Sequence, residues 1–429
     1  MPKLPTTLVS LLLASFTLTA PGFAETPAKA GALPAPDADN GGITLPSGFH
    51  AVVVADHLKP LRNMTVAPNG DIYIKTKDAG IYGLRDTDGD GRADVIKEFG
   101  SGGGTGIALH GDWLYESTDD HVFRYKLTPG ELVPAGEPQR IVRDLPNQRQ
   151  HSAKALAFGA DGQLYVETGS PSNAFGGNKD RALGATGGDP TEFLQTHGGY
   201  WRYDPDKPDQ TQAEGHHFST GHRHSTTIAL NPVNGQLFIA IHGRDQLTTV
   251  APQFYTVEDN AEQPAEVLHA LTDGANFGWP FTYWDPLTKQ RKLNPEFGGD
   301  GKKLAEPGKY PDPLVAFPAH WSPMQLAFYT GTQFPAKYHH GAFLAFQGSW
   351  NRAPLPQKGY KVVYIPFDAK GMPTGDYEIF ADNFAGKPEL ASPNDAAHRP
   401  NGVAVGPDGS LYIADSLHGR VWRIFYTGN

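Results

Sequence analysis

The chain has 429 residues, enough for two or three average domains or one large all-β domain. It contains no cysteine, which excludes a disulfide framework, a thiolate metal site and a cysteine nucleophile. The 50 glycines and 37 prolines favour strands joined by many turns, and the net charge of −10 argues against a nucleic-acid partner, because phosphate binding needs a basic face.

Residues 1–24 read as a secretory signal: Lys3 supplies the positive start, residues 8–20 an apolar stretch too short to span a bilayer, and Gly22-Phe23-Ala24 small residues for cleavage. Residues 25–42, rich in Ala, Pro, Gly and Asp, read as a flexible leader. No later segment is a continuous apolar run of transmembrane length. The expectation is an exported protein without membrane insertion, periplasmic if the source is Gram-negative, whose functional unit spans 43–429.

That unit repeats one pattern six times: a small apolar strand, a turn with Gly, then an aromatic strand. The copies start at Met64, Gly106, Leu156, Ile228, Leu326 and Val403. Asn69-Gly70, Asp161-Gly162 and Asp408-Gly409 are hairpin turns, because both residues tolerate positive φ. A third, alternating strand follows most copies, as in Gly199-Tyr200-Trp201-Arg202-Tyr203, and outer fourth strands are expected at 95–99, 140–145 and 377–381. Sets of three or four antiparallel strands repeated six times predict an all-β, six-bladed β-propeller. The segment Phe49-His50-Ala51-Val52-Val53-Val54 is expected to close the ring by pairing with the last repeat, hiding an edge. The extra length at 169–198 and 245–319 is expected as loops over one face.

In a propeller, the link from an outer strand to the next inner strand reaches the central channel. The residues just upstream of the inner strands are Arg62-Asn63, Gly103-Gly104-Thr105, His151-Ser152 with Lys154, His222-Arg223-His224-Ser225, His320-Trp321-Ser322-Pro323 and His398-Arg399-Pro400-Asn401. A single His or Arg at a strand start is most often surface. Their recurrence at five of six equivalent places predicts a cationic, His-rich pocket suited to a polycarboxylate or phosphate. Separately, Asp86-Thr87-Asp88-Gly89-Asp90-Gly91-Arg92-Ala93-Asp94 spaces carboxylates so that Asp86, Asp88, Asp90 and Asp94 could wrap Ca²⁺; the alternative is an acidic hairpin turn, since Lys97 stands where an EF-hand has its last ligand.

Several long motifs then occur in a familiar order: Gln150-His151-Ser152-Ala153-Lys154, Gly221-His222-Arg223-His224, His242-Gly243-Arg244-Asp245, Asp273-Gly274-Ala275-Asn276-Phe277-Gly278-Trp279-Pro280, Phe328-Tyr329-Thr330-Gly331, Gly348-Ser349-Trp350-Asn351-Arg352 and Arg399-Pro400-Asn401-Gly402. Over residues 43–426 the chain resembles the soluble quinoprotein sugar dehydrogenases, the glucose/sorbosone dehydrogenase family of secreted propellers that bind pyrroloquinoline quinone (PQQ), and most resembles the sorbosone-dehydrogenase-like branch.

The resemblance implies PQQ and Ca²⁺ as cofactors and a sugar as substrate. It implies His151 as the base that removes a sugar hydroxyl proton while hydride passes to the quinone C5. Arg223 is implied beside the quinone oxygen, where negative charge develops. The backbone carbonyls of Gly243 and Arg244 are implied as calcium ligands, and Arg399 as a cofactor-carboxylate contact. Arg62, Lys154, His224, Arg352 and Asn401 are further candidates for holding the cofactor, and Trp279, His320 and Trp321 for lining the sugar site. An electron acceptor, a c-type cytochrome or a quinone, is implied as a partner; no haem-attachment motif exists in this chain. The glucose-type enzymes have Asn where His224 stands and a second arginine where Asn401 stands, which puts glucose preference in doubt more than PQQ use. Two other readings share the architecture: a calcium-dependent lactonase-like hydrolase, which needs acidic side chains around a channel metal, and a non-catalytic glycan-binding propeller, which would bind no PQQ.

Overall fold

Six antiparallel sheets follow one another around a closed ring. The computed structural model describes residues 33–428, so the expected signal segment lies outside the described residues. The first blade is built from Leu61–Val66, Ile72–Thr76, Ile81–Arg85 and Val95–Phe99, and the second from Ile107–His110, Trp113–Ser117, Val122–Lys126 and Gln139–Val142. The third comprises Leu156–Phe158, Leu164–Thr168, Gly199–Tyr203 and His216–Thr220, with Ala275–Asn276 added in parallel at its edge. The innermost strand of each blade touches that of the next, and the sixth, Pro400–Val405, touches the first.

The ring closes as the sequence suggests. Phe49–Ala55 pairs antiparallel with Val421–Tyr426, so the sixth blade takes its outer strand from the start of the chain and its other three from the end. Phe49 anchors that join, its ring meeting Phe334, Tyr338 and Phe380 edge-on at 4.8, 5.3 and 5.1 Å. Residues 33–42, expected as part of a flexible leader, are instead tied to the body. Asp37 accepts the Val53 N–H at 2.8 Å and pairs with Arg92, and the Gly41 carbonyl accepts the Trp422 indole N–H at 3.1 Å.

The hairpin turns differ in detail from the two-residue form. In blades one, three and six, Gly70, Gly162 and Gly409 have φ of 92°, 74° and 84°, whereas the preceding Asn69, Asp161 and Asp408 are not left-handed. Gly70 N–H returns to the Ala67 carbonyl at 2.9 Å while Ala67 N–H reaches the Asp71 carbonyl, and the other two turns repeat this. This is a three-residue loop ending in a left-handed glycine, which matches strand twist.

The segment 245–319 is more than a loop. It contains both outer strands of the fourth blade, Glu266–Leu271 and Val315–Phe317, together with helices Leu247–Val250 and Val257–Glu262 and a separate hairpin, Thr282–Asp285 with Gln290–Leu293. The two helices and the hairpin displace these strands from the repeat spacing, so periodicity in the other blades does not point to them.

The second strand of every blade ends near the channel mouth. Its penultimate residue is fully or almost fully buried, and is Lys75, Glu116 and Glu167 in blades one to three but Ala240, Ala345 and Ala414 in blades four to six. Lys75 and Glu116 neutralise each other at 2.5 Å, which is what a buried charge requires. Half of the ring is therefore polar behind its channel wall and half is apolar.

Candidate active site

The segments ahead of the third, fourth and fifth inner strands converge on a cavity of about 270 Å³ at one end of the channel, lined by His151, Arg223, His242, Gly243, Asp245, Glu266 and His320 among others. His151 and His320 have left-handed φ of 54° and 64°. Such backbone is uncommon outside glycine and clusters at functional sites.

His151 donates from Nδ1 to the Ser170 carbonyl. A carbonyl only accepts, so Nδ1 carries the hydrogen and Nε2 is left with a free lone pair. Burial, then Arg223 and His224, hold the ring well below the usual imidazole pKa, so it is neutral near pH 7. The His224 ring stacks beside it at 4.9 Å and meets His242 edge-on at 5.1 Å.

Arg223 donates from Nη1 to the Gly243 carbonyl at 2.9 Å and from Nη2 to Asp245 at 2.5 Å, while its buried Nε has no protein partner. Asp245 is the hub. It also accepts from Arg181 at 3.1 Å and from Asn351 at 2.6 Å, and His320 lies 3.8 Å away. Burial pushes its carboxyl pKa up, but Arg223, His320 and Arg181 outweigh this and hold it down at about 2. Gly243 is pressed against the wall: a Cβ there would meet Pro264 at 2.9 Å and the Ala265 carbonyl at 3.0 Å. Its N–H is fixed by Glu266, whose pKa burial pushes up to about 8 against hydrogen bonds from the Gly243 and Ser322 N–H groups.

The other sequence candidates divide by place. Arg62 and Arg399 are half-buried; burial lowers the pKa of both, and Arg399 lowers that of Arg62 further. Arg399 is braced by the Gln347 and Gly348 carbonyls and the Tyr360 ring. Asn401 is fully buried with neither amide atom partnered. His224 and Lys154 face Glu167 behind the wall, and Lys154 donates to the Ser152 carbonyl at 2.6 Å. Arg352 does not line the cavity: its guanidinium is fully buried against the Ala261 and Pro356 carbonyls and Glu262. The Arg244 side chain is likewise consumed, by Glu296, Asn294 and the Asp245 carbonyl.

The aromatic expectations also move. Trp279 hydrogen-bonds to the Asn173 carbonyl at 2.9 Å and lines a separate cavity of about 50 Å³ behind Arg223. Trp321 is packed in the core against Phe346 and does not line the His151 cavity. Of the three residues expected at the sugar site, only His320 opens on the His151 cavity, and its Nε2 is committed to the Asn260 carbonyl at 2.7 Å. The aromatic group at this mouth is Trp350, 53% exposed. Trp350, Asn351 and Asp245 stand inside motifs whose pattern marks no role for them, and Arg181 and Glu266 come from the two insertions, where no motif marks them.

On the outer hairpin of the first blade, Asp86, Asp88 and Asp94 bring carboxylate oxygens within 4.8 Å of one another. Asp90 turns to the Arg92 N–H at 2.7 Å instead.

A six-bladed propeller whose channel mouth gathers arginines and neutral imidazoles is a scaffold for an anionic small molecule. Comparison with known proteins gives the family: the model described as TrAA12-like matches residues 43–427, and the chain belongs to that family. A PQQ-dependent sugar dehydrogenase from Hypocrea jecorina is 23% identical over 414 residues, covering 87% of each chain. An uncharacterized protein from Borreliella burgdorferi is 26% identical over 208 residues, a match that spans only 48% of its length and 48% of this chain. Among solved structures, the calcium structure of the Trichoderma reesei family AA12 enzyme superposes with a TM-score of 0.73 at 18% identity, covering 90% of this chain and 97% of that one. The holo PQQ domain of pyranose dehydrogenase from Coprinopsis cinerea gives 0.70 at 19%, covering 89% and 97%.

Proposed function

We propose that this protein is a PQQ-dependent oxidoreductase acting on CH–OH groups of a sugar. The observation that carries the reading is the pairing of His151, neutral with a free Nε2, and Arg223, whose buried Nε lacks a partner, on one cavity. The relatives named above for sugar dehydrogenation and PQQ support it.

The residues fit the cofactor. PQQ is a tricarboxylate with adjacent carbonyl oxygens, and the mouth offers Arg62, Arg399 and Arg223 with the unpartnered amide of Asn401. The carbonyls of Gly243 and Arg244 would hold Ca²⁺, an oxygen-seeking cation, once the Gly243 carbonyl exchanges the Arg223 Nη1 donor it holds at 2.9 Å for the ion. Bound there, PQQ would supply a hydride acceptor and Ca²⁺ a Lewis acid.

The chain's own work is proton handling and charge placement. His151 Nε2 takes the proton of the sugar hydroxyl as the carbon is oxidised. Arg223, fixed by Asp245, presents a cation without reorganising. Trp350 offers a flat face to the sugar ring. Asp245 is engaged by Arg223, Arg181 and Asn351, which disfavours a hydrolase that needs it as a metal carboxylate. Export through the leading segment, with reoxidation by a c-type cytochrome or a quinone, completes the reading. Among the described residues, no helix is long and apolar enough to cross a membrane.

Adding PQQ and Ca²⁺ to the purified protein and following dye reduction with a panel of aldoses tests this. Reduction with at least one aldose, dependent on PQQ, is expected; no reduction with any of them contradicts it.

A further inference from the structure

Glu167 is fully buried near the end of the second strand of blade three, separated from His151 by one imidazole ring. Its Oε1 accepts the Ser225 N–H at 3.1 Å and faces His224 Nδ1 at 3.2 Å and His222 Nε2 at 3.6 Å, while Oε2 has no protein partner. Lys154 and Tyr200, both fully buried, complete the titratable groups acting on it. Gly169 sits where these groups converge: a Cβ there would meet the His151 carbonyl at 2.7 Å, His224 Nδ1 at 2.8 Å and Glu167 Oε1 at 3.0 Å.

A buried carboxylate is costly unless something uses it, and blades four to six have alanine at the same position. Burial and the titratable groups Arg223, His224 and His242 oppose His151 taking a proton, and the Ser170 carbonyl that accepts from its Nδ1 favours it. Of the other carboxylates on this cavity, Asp245 is already shared between Arg223 and Arg181, and Glu266 is held by the Gly243 and Ser322 N–H groups with its pKa pushed up to about 8 by burial. A base that must become an imidazolium in such a site needs a negative charge within reach.

We propose that Glu167 is a positioning residue: acting through His224, it fixes that ring with hydrogen on Nδ1 and supplies the charge that lets His151 hold the substrate proton. This rests on His151 being the base. The proton leaves the sugar hydroxyl and comes to His151 Nε2, and Glu167 does not take it. Burial raises the Glu167 pKa, and His222, Lys154 and the Ser225 N–H work against that rise.

The test is Glu167→Gln, which keeps the shape and the acceptor oxygen but loses the charge. In the PQQ-free protein, imidazole nitrogen NMR should show His224 protonated on Nδ1 in both forms, and a His151 protonation midpoint lower by about one pH unit in the variant. In the loaded enzyme the acid limb of kcat/KM should move down by the same amount, with kcat falling roughly threefold for a weaker base and KM unchanged. Glu167→Asp should recover part of the shift. An unmoved His151 midpoint and acid limb overturn the proposal. If the Gln variant does not fold, Gly169→Ala, which drives the same groups apart, should shift the His151 midpoint in the same direction, and no shift there overturns it equally. The PQQ-free titration decides the role of Glu167 even if the parent oxidises no sugar, an outcome that instead removes the dehydrogenase reading.

Discussion

Arg223 and Asp245 form a buried ion pair, Nη2 to Oδ2 at 2.5 Å, with side chains only 5% and 8% exposed. Removing one member leaves the other charged and dry. Asp245→Ala should destabilise the protein by about 3–5 kcal/mol, read from urea denaturation of the cofactor-free form, and should weaken PQQ binding because Arg223 loses its brace. A loss below about 1 kcal/mol would show that the pair is solvated and does not hold Arg223.

Arg352 is spent inside the fold, on two carbonyls and Glu262. Arg352→Met should therefore cost about 3 kcal/mol of stability while leaving the affinity for PQQ unchanged, measured by quenching of protein fluorescence. A drop in affinity without a drop in stability would return Arg352 to the cofactor.

Trp350, and neither Trp279 nor Trp321, lines the His151 cavity. Trp350→Ala should raise KM for the sugar about tenfold, the equivalent of roughly 1.4 kcal/mol, with kcat nearly unchanged, the pattern of lost ground-state binding. Trp279→Phe should leave KM alone, because that indole faces Asn173.

His269 is buried, and burial, then Arg291 and His222, lower its pKa to about 3. Unfolded, the same ring titrates near 6.5. Between these values the unfolded chain binds a proton that the folded chain refuses, so stability is complete above about pH 6.5 and falls as the pH drops. The loss from this group should reach about 2 kcal/mol by pH 5. His269→Gln should flatten that part of the stability-versus-pH curve, and an unchanged slope would mean that the ring is solvated in the native state.

Much of this was legible in the sequence because the repeat is carried by short-range chemistry. Asp161-Gly162 and Asp408-Gly409 mark hairpins, alternation marks half-buried strands, and position within the repeat put His151, Arg223 and His320 at the channel mouth. What escaped depends on long-range placement. Glu266 is separated from the second strand of its blade by two helices, so no spacing rule marks it as a strand residue or a wall of the site. Trp321 and Trp350 are both tryptophans beside polar residues, and only the packing of Phe346 around the first decides which faces solvent. Arg352 looked like a cofactor cation because a sequence shows charge but not the carbonyls that claim it.

The central claim concerns His151, and one substitution addresses it most directly. His151→Ala should bind PQQ in the presence of Ca²⁺ as the parent does, since Arg223, Arg62 and Arg399 remain, yet turn over sugar at least a hundredfold more slowly, within the range that general-base catalysis supplies. Turnover equal to the parent with PQQ bound would contradict the assignment of the base.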